Sequence, residues 1–306
     1  MSADGPEASD RRRPEGGIVD CLSNAFTPDR RETWDGAIAT TGVQVKVRRD
    51  DSDAFAEPEA MIDRMDELGV ATVLLITGDI GRHGRLDRYD FEHIVFRWEE
   101  TENLVGKWPG RFVALALIDP ERGMIGVRDT RARLSEPWVV GCYLHTHSFD
   151  RRLDHADYYP FYAACAEHDV PVAMQAGTSG GLMASECGRP ITIDRPALYF
   201  AETRFVLSHL GWPWVDEAVA MALKFPNVYL GTAAYPPRHW PAPVREFLRG
   251  PGRRKVVFGT NFPTVGQRHA LGQIDELDLD ADTQRALLGD TARNVFTRLS
   301  DQGGAR

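Results

Sequence analysis

Residues 204–231, RFVLSHLGWPWVDEAVAMALKFPNVYLG, are the stretch around which the rest of the chain is organised. Phe205, Val206 and Leu207 form an apolar, partly β-branched run that predicts a buried strand, and the run stops at His209, where Gly211, Trp212 and Pro213 break the pattern. Apolar residues at helical spacing follow from Trp214 to Lys224, then the turn pair Pro226 and Asn227, then a second short strand ending at Gly231. This is a strand, helix, strand unit with a histidine at the carboxyl end of its first strand. In parallel α/β folds that end of a strand is where chemistry is placed.

The same unit recurs along the chain. Strand signals lie at 17–22, 71–76, 112–118, 138–144, 170–174, 205–208, 228–230 and 255–259, with helical patterns at 61–68, 91–107, 159–168, 214–224 and 242–248. Each parallel pair of strands needs a crossover, so eight strands alternating with helices predict a single-domain (β/α)8 barrel. Long loops are expected after the first, second and fifth strands: residues 23–57 with Pro28, Trp34 and Asp50 to Asp53, the polar segment carrying Asp79, Arg82, His83 and Arg85, and the Gly-rich residues 178–196. The last of these reads as a lid or as an ordinary loop; it lacks the Lys-Ser/Thr pair of a phosphate loop. Residues 1–17 read as a disordered tail, 18–299 as the barrel and 300–306 as a C-terminal tail, with LLGDTARNVFTRL as a closing helix on the outside.

Composition narrows the function. With 306 residues, 42% hydrophobic and 26% charged, the chain is an ordinary globular protein, and its net charge of -9 argues against a nucleic-acid partner. No apolar run is long enough to span a bilayer, and the start MSADGPEASD is not a signal peptide. Cys21, Cys142, Cys165 and Cys187 have neither metal-like nor disulfide-framework spacing, which predicts reduced thiols and a cytoplasmic protein. The expected partner is a small molecule; a homo-oligomer is compatible with the sequence.

In this register the strand ends carry Ser23 and Asn24, His145 and His147, Gln175, His209 and Asn261. A barrel aims all of them at one mouth. His209 reads as an acid or base, the alternative being a core histidine satisfied by a buried hydrogen bond. His145 and His147 alternate along LHTH and would face the same side; one of them is expected to point into the mouth, the alternative being a surface loop pair. Asn24, Gln175 and Asn261 read as ligand-contacting amides or as loop caps. Trp34, Trp212, Trp214, Tyr235 and Trp240 could line an apolar pocket, with Trp212 the strongest candidate, or serve as packing.

The ordered segments MIDRMDELGVATVLL, WPGRFVALALIDPERG, GCYLHTH, DVPVAMQAG, SHLGWPWVDEAVAMALKFPNVYLG, KVVFGTNFP and LLGDTARNVF resemble the amidohydrolase superfamily, in the branch of aminocarboxymuconate-semialdehyde decarboxylase. The resemblance implies a metal site built from an Asp-x-His-x-His run, a strand-five histidine and a strand-eight aspartate. Here Leu22 and Asn24 stand at the first two imidazoles, Gln175 at the third and Asn261 at the aspartate; His209 alone matches its motif. Amide oxygens are weak zinc ligands and leucine is none, so zinc is not expected at the family position. Three functions remain open at this stage. One is hydrolysis or decarboxylation of a small carboxylate, ester, amide or carbonyl compound, with catalytic His209, His145 and His147. The second is a nonheme iron oxygenase with a displaced iron held by the same histidines and a carboxylate. The third is a small-molecule-binding protein without catalysis.

Overall fold

The computed structural model describes residues 12–32, 34–35, 55–78 and 94–304. The loop features at Asp50 to Asp53 and at Asp79, Arg82, His83 and Arg85, and the tail over residues 1–11, lie outside that set. Eight parallel strands run in the order β1 to β8: Ile18–Ser23, Val70–Thr77, Phe112–Leu117, Val139–Leu144, Val172–Gln175, Phe205–Ser208, Val228–Gly231 and Val256–Val257. The chain is a single (β/α)8 barrel. Its ring closes where Phe258 O accepts from Cys21 N at 3.0 Å, Leu22 O accepts from Asn261 N at 2.9 Å, and Ser23 bridges Phe262 in parallel.

Alternation along each strand divides the core in two. Val19, Cys21, Leu74, Ile76, Val113, Leu115, Tyr143, Ala173, Val206 and Val257 form one cluster inside the barrel. Val73, Leu75, Phe112, Ala114, Leu144, Met174, Phe205, Leu207, Val228 and Leu230 belong to the other, outer cluster with residues of the surrounding helices. Those helices include α1 (Pro58–Leu68), α2 (Trp98–Lys107), α3 (Gly123–Leu134), α4 (Thr146–Phe149), α5 (Tyr159–Glu167), α6 (Asp194–Tyr199), α7 (Val215–Lys224) and α8 (Ala242–Arg249). In α7, Val215, Ala218, Met221 and Ala222 recur at helical spacing and are buried, while Lys224 ends the helix with its charge at the negative pole of the helix dipole. Full burial of a valine or methionine of this stripe contributes about 1.5–3 kcal/mol.

Three expectations change in detail. The helix expected over 91–107 begins at Trp98, because Phe96 bridges Thr77 and packs edge-on against Phe26 at 5.2 Å, which leaves Arg97 and Glu100 to cap the helix start. The closing segment after α9 (Gln267–Asp275) and α10 (Ala281–Arg285) does not pack on the outside. From α11 (Thr291–Val295) onward, Ala292, Val295, Phe296 and Leu299 join the inner cluster and stopper the N-terminal end of the barrel. Phe296 comes so close to β4 that a Cβ at Gly141 would stand 3.4 Å from its ring and 3.0 Å from Leu115. Residues 12–17, assigned to the tail, form a turn held by Arg293, whose Nη2 donates to Gly17 O at 2.8 Å and to Gly16 O. At the other end, Gln302 Nε2 donates to Pro137 O at 2.8 Å.

Candidate active site at the barrel mouth

Two hydrogen-bonded groups stand on the C-terminal rim. The first joins β1 to the turn after β8. Asn24, 6% exposed, donates from Nδ2 to Asn261 Oδ1 at 3.0 Å and to Phe262 O at 3.2 Å. Asn261 has φ +55, a left-handed conformation that asparagine adopts more readily than most residues, and this turns its side chain back toward Asn24. Asn24 Oδ1 has no hydrogen-bond partner among the described residues. Just beneath, fully buried Asp20 accepts from Thr260 N at 2.9 Å, Thr260 Oγ1 at 2.6 Å and Gln267 Nε2 at 2.9 Å. Burial pushes its carboxyl up and these hydrogen bonds pull it back. Asp20 is therefore a strand clamp, and its oxygens are taken up by the protein itself.

The second group is built from β4, β5 and β6. Tyr143 precedes His145 by two residues and so points the same way into the barrel, where its hydroxyl donates to Gln175 Oε1 at 3.3 Å. His145 Nδ1 lies 2.7 Å from Ser148 Oγ and accepts from Ser148 N at 3.2 Å, and the ring also bonds the Gln175 side chain. His147 is fully buried, with its ring centroid 5.6 Å from that of His145 and its Nε2 donating to Gly177 O at 2.9 Å. Thr146 Oγ1 donates to Gln175 O at 2.9 Å and fixes this strand end against its neighbour. Register pairs Gln175 with Ser208, which places His209 next on the rim. His209 has φ 63, is 6% exposed and lies with Nδ1 3.1 Å from Ser208 Oγ. Its Nε2 bonds no described group, which leaves that nitrogen for a ligand.

Burial dominates the electrostatics of this group. It pushes His209 down to about 3, aided by His147. It also holds His145 well below and His147 below the ordinary imidazole range, with His147 and His209 adding to the effect at His145. All three are neutral at pH 7.

The Amidohydrolase family matches residues 90–298, more than half of the chain. The chain belongs to that family. No curated protein matches it. Among solved structures, an uncharacterised TIM-barrel protein of Bordetella bronchiseptica is 19% identical with a TM-score of 0.74, over 92% of this chain and 99% of that one. The 5-carboxyvanillate decarboxylase of Sphingomonas paucimobilis is 16% identical with a TM-score of 0.65, over 92% and 99%. The 5-carboxyvanillate decarboxylase of Novosphingobium aromaticivorans, complexed with manganese and 4-hydroxy-3-methoxy-5-nitrobenzoic acid, is 15% identical with a TM-score of 0.63, over 93% and 98%. At these identities the likeness establishes the fold.

Three of the residues that the resemblance sets at metal-ligand positions offer a divalent cation little. Leu22 has no donor atom, Asn261 Oδ1 accepts from Asn24, and Gln175 Oε1 accepts from Tyr143. Those two amide oxygens are thus tied up in neutral hydrogen bonds. Among the described residues no group of three or more His, Cys, Asp or Glu side chains is arranged to hold a metal ion.

The structure thus places Asn24 with Asn261, and His145, His147, Gln175 and His209 together, on the same rim. Trp212 meets the loop after β5 through its backbone. The residue is 45% exposed, its ring lies 6.2 Å from that of Tyr235, and its carbonyl accepts from Thr178 N at 2.7 Å. Trp240 is core, with Nε1 donating to Tyr235 O, and Trp34 packs with Phe55 and Ile94. The loop over 178–196 folds back on the site, since Gly177 N donates to Gly188 O at 2.7 Å and a Cβ at Gly188 would stand 2.6 Å from His147 Nε2. Sequence reasoning missed Tyr143, Ser148, Gly177 and Ser208. Only Tyr143 had a signal, its period-two spacing from His145 on a strand with a polar end.

Proposed function

We propose that this amidohydrolase-family protein is an enzyme that hydrolyses or decarboxylates a small organic carboxylate, ester, amide or carbonyl compound without a divalent metal at the family position. The observation that carries this reading is His209: buried on the mouth, fixed through Nδ1, with Nε2 left for the substrate. A neutral imidazole so placed accepts a proton from the reacting group and returns it later in the cycle. The Nε2 of Gln175, whose Oε1 is taken by Tyr143, is a neutral donor for charge developing on a substrate oxygen, an effect worth about 3 kcal/mol for a well-placed donor. The decarboxylase relatives make aromatic carboxylic acids the first compounds to try. An iron-dependent oxygenase finds less support, since His147 Nε2 and His145 Nδ1 are engaged with Gly177 and Ser148.

The test is turnover of a panel of hydroxylated benzoic acids, their esters and amides by protein purified without added metal, with and without chelator. Expected is activity that chelator leaves intact and that His209→Gln lowers by roughly 100-fold or more while the melting temperature stays close to wild type. Activity abolished by chelator and restored by zinc, manganese or iron would overturn the metal-independent reading. Binding without turnover of any compound would make the protein a small-molecule receptor instead.

A further inference from the structure

We infer that the outer face of α6 and α7 is the contact surface of a two-fold homodimer, with Leu198 and Tyr199 at its axis. Of the eight large apolar side chains exposed among the described residues, four stand on this face: Ile191 just before α6, Leu198 and Tyr199 at its end, and Leu223 at the end of α7. Leu198 is 61% and Tyr199 74% exposed, yet the segment that carries them is firmly anchored. Pro196 and Ala197 are buried, Phe200 packs edge-on against Tyr159 at 5.2 Å and Tyr162 at 5.7 Å, and Asn227 Nδ2 donates to Ala197 O and Phe200 O at 3.2 Å and to Thr203 O at 3.0 Å. The two helices are tied side by side: Lys224 pairs with Asp194, Arg189 pairs with Glu217, and Glu217 Oε2 accepts from Ile191 N at 3.2 Å. A fixed surface that gathers several large apolar side chains is the mark of an interaction site, whereas single exposed ones are ordinary.

The occupant that fits this surface is a second copy of the chain. A two-fold interface is self-complementary, so that if one residue meets another across it, the second also meets the first. The sequence around α6 has that property. Arg195 and Glu202, both exposed, lie three residues before Leu198 and three after Tyr199. Antiparallel pairing of two copies about an axis between Leu198 and Tyr199 therefore sets Arg195 of each against Glu202 of the other, and lays each Leu198 against the other copy's Tyr199. The apolar pair leaves water at the centre and opposite charges meet at both edges, which is the usual division of an interface into apolar core and polar rim. The patch begins three residues after Gly188, where a Cβ would stand 2.6 Å from His147 Nε2, so the second copy rests on the segment that borders the candidate site.

Analytical ultracentrifugation of the full chain from about 1 to about 100 μM tests this, since interfaces of ordinary size hold at micromolar concentrations or below. The expected result is a dimer, alone or in equilibrium with monomer. Arg195→Glu sets two carboxylates face to face at each edge, and Glu202→Arg two guanidiniums; like charges so placed oppose association, and each variant alone should raise the dimer dissociation constant by roughly tenfold or more. An equimolar mixture of the two variants should regain wild-type affinity as a heterodimer, because every pair across the axis is again opposite in sign. The double variant Arg195→Glu, Glu202→Arg should do the same. Both positions are exposed, so melting temperatures at the lowest concentration should match wild type and exclude misfolding as the cause of dissociation. A chain that stays monomeric over the whole range, a dimer indifferent to either charge reversal, or two single variants that fail to associate when mixed would overturn the inference. None of these readouts depends on turnover, so the dimer and the proposed enzyme stand or fall separately.

Discussion

Replacing Gly177 by alanine tests whether the loop after β5 is fastened to the histidine group as described. Gly177 has φ +90, and a Cβ there would lie 2.2 Å from Trp212 O, 2.7 Å from Gly211 C and 2.8 Å from Trp212 N. All three are backbone atoms, and Trp212 O is held at 2.7 Å by Thr178 N, so no flexible side chain can give way. The left-handed conformation costs alanine about 1–2 kcal/mol. Relieving the overlap by moving chain costs about 1–3 kcal/mol more. Loss of the Gly177 N to Gly188 O hydrogen bond adds about 1 kcal/mol. The total of about 3–6 kcal/mol corresponds to a fall in melting temperature of roughly 6–20 °C for a domain of this size. Thermal and urea melts of the Gly177→Ala protein measure it. Gly106→Ala is the control: it lies in α2 with nothing within 4 Å of the added Cβ, and should be neutral or stabilising by about 0.5–1 kcal/mol. If the Gly177→Ala protein melted within about 2 °C of wild type, the loop geometry beside His147 would be wrong.

Three more outcomes are expected. Tyr143→Phe removes one donor to Gln175 Oε1 and should lower stability by about 1 kcal/mol in denaturant melts; a gain in stability would show that the bond is not formed. Asn24→Leu removes a donor shared by Asn261 Oδ1 and Phe262 O and should cost about 2–4 kcal/mol, whereas an unchanged urea midpoint would remove Asn24 from the closure of the barrel. Acidification should destabilise the protein from about pH 6.5 downward. His209 binds a proton in the unfolded chain below its ordinary value near 6.5 but only at about 3 when folded, so between these limits the unfolded state binds more protons and stability falls as pH falls, by about 1.4 kcal/mol per pH unit for this group alone. His145 and His147 are shifted the same way and steepen the slope. A melting temperature that is flat between pH 7 and 5 would contradict the burial of all three.

The alternation of short apolar runs with helical stretches was enough to place eight strands to within a few residues, because burial on both faces leaves a parallel strand little choice but a continuous apolar run. That Leu22, Asn24, Gln175 and Asn261 sit at strand ends was legible for the same simple reason, since those ends are well marked. What they do instead was not legible. That Asn24 bonds Asn261, or that Gln175 is held by Tyr143, depends on side-chain directions at contacts separated by 237 and 32 residues, which no local pattern encodes. That the Trp212 carbonyl holds the start of the loop after β5 was likewise not legible, since it depends on a contact between two strand-end loops. The closing segment was misplaced outside because an amphipathic stretch does not say which apolar surface it covers; Phe296 finds the open end of the barrel.

The bonds that join the first strand to the last span 237 to 247 residues of chain, and β8 contributes only Val256–Val257 to the sheet. Bringing together ends that far apart costs about 3 kcal/mol more in chain entropy than closing a ten-residue turn. A strand pair so short returns little against that cost, so the backbone bonds of the closure are reinforced by side chains: the carboxylate of Asp20 and the amide of Asn24. Since Asn24 and Asn261 are themselves stitches in the seam between β8 and β1, the contacts that close the ring also form one wall of the mouth.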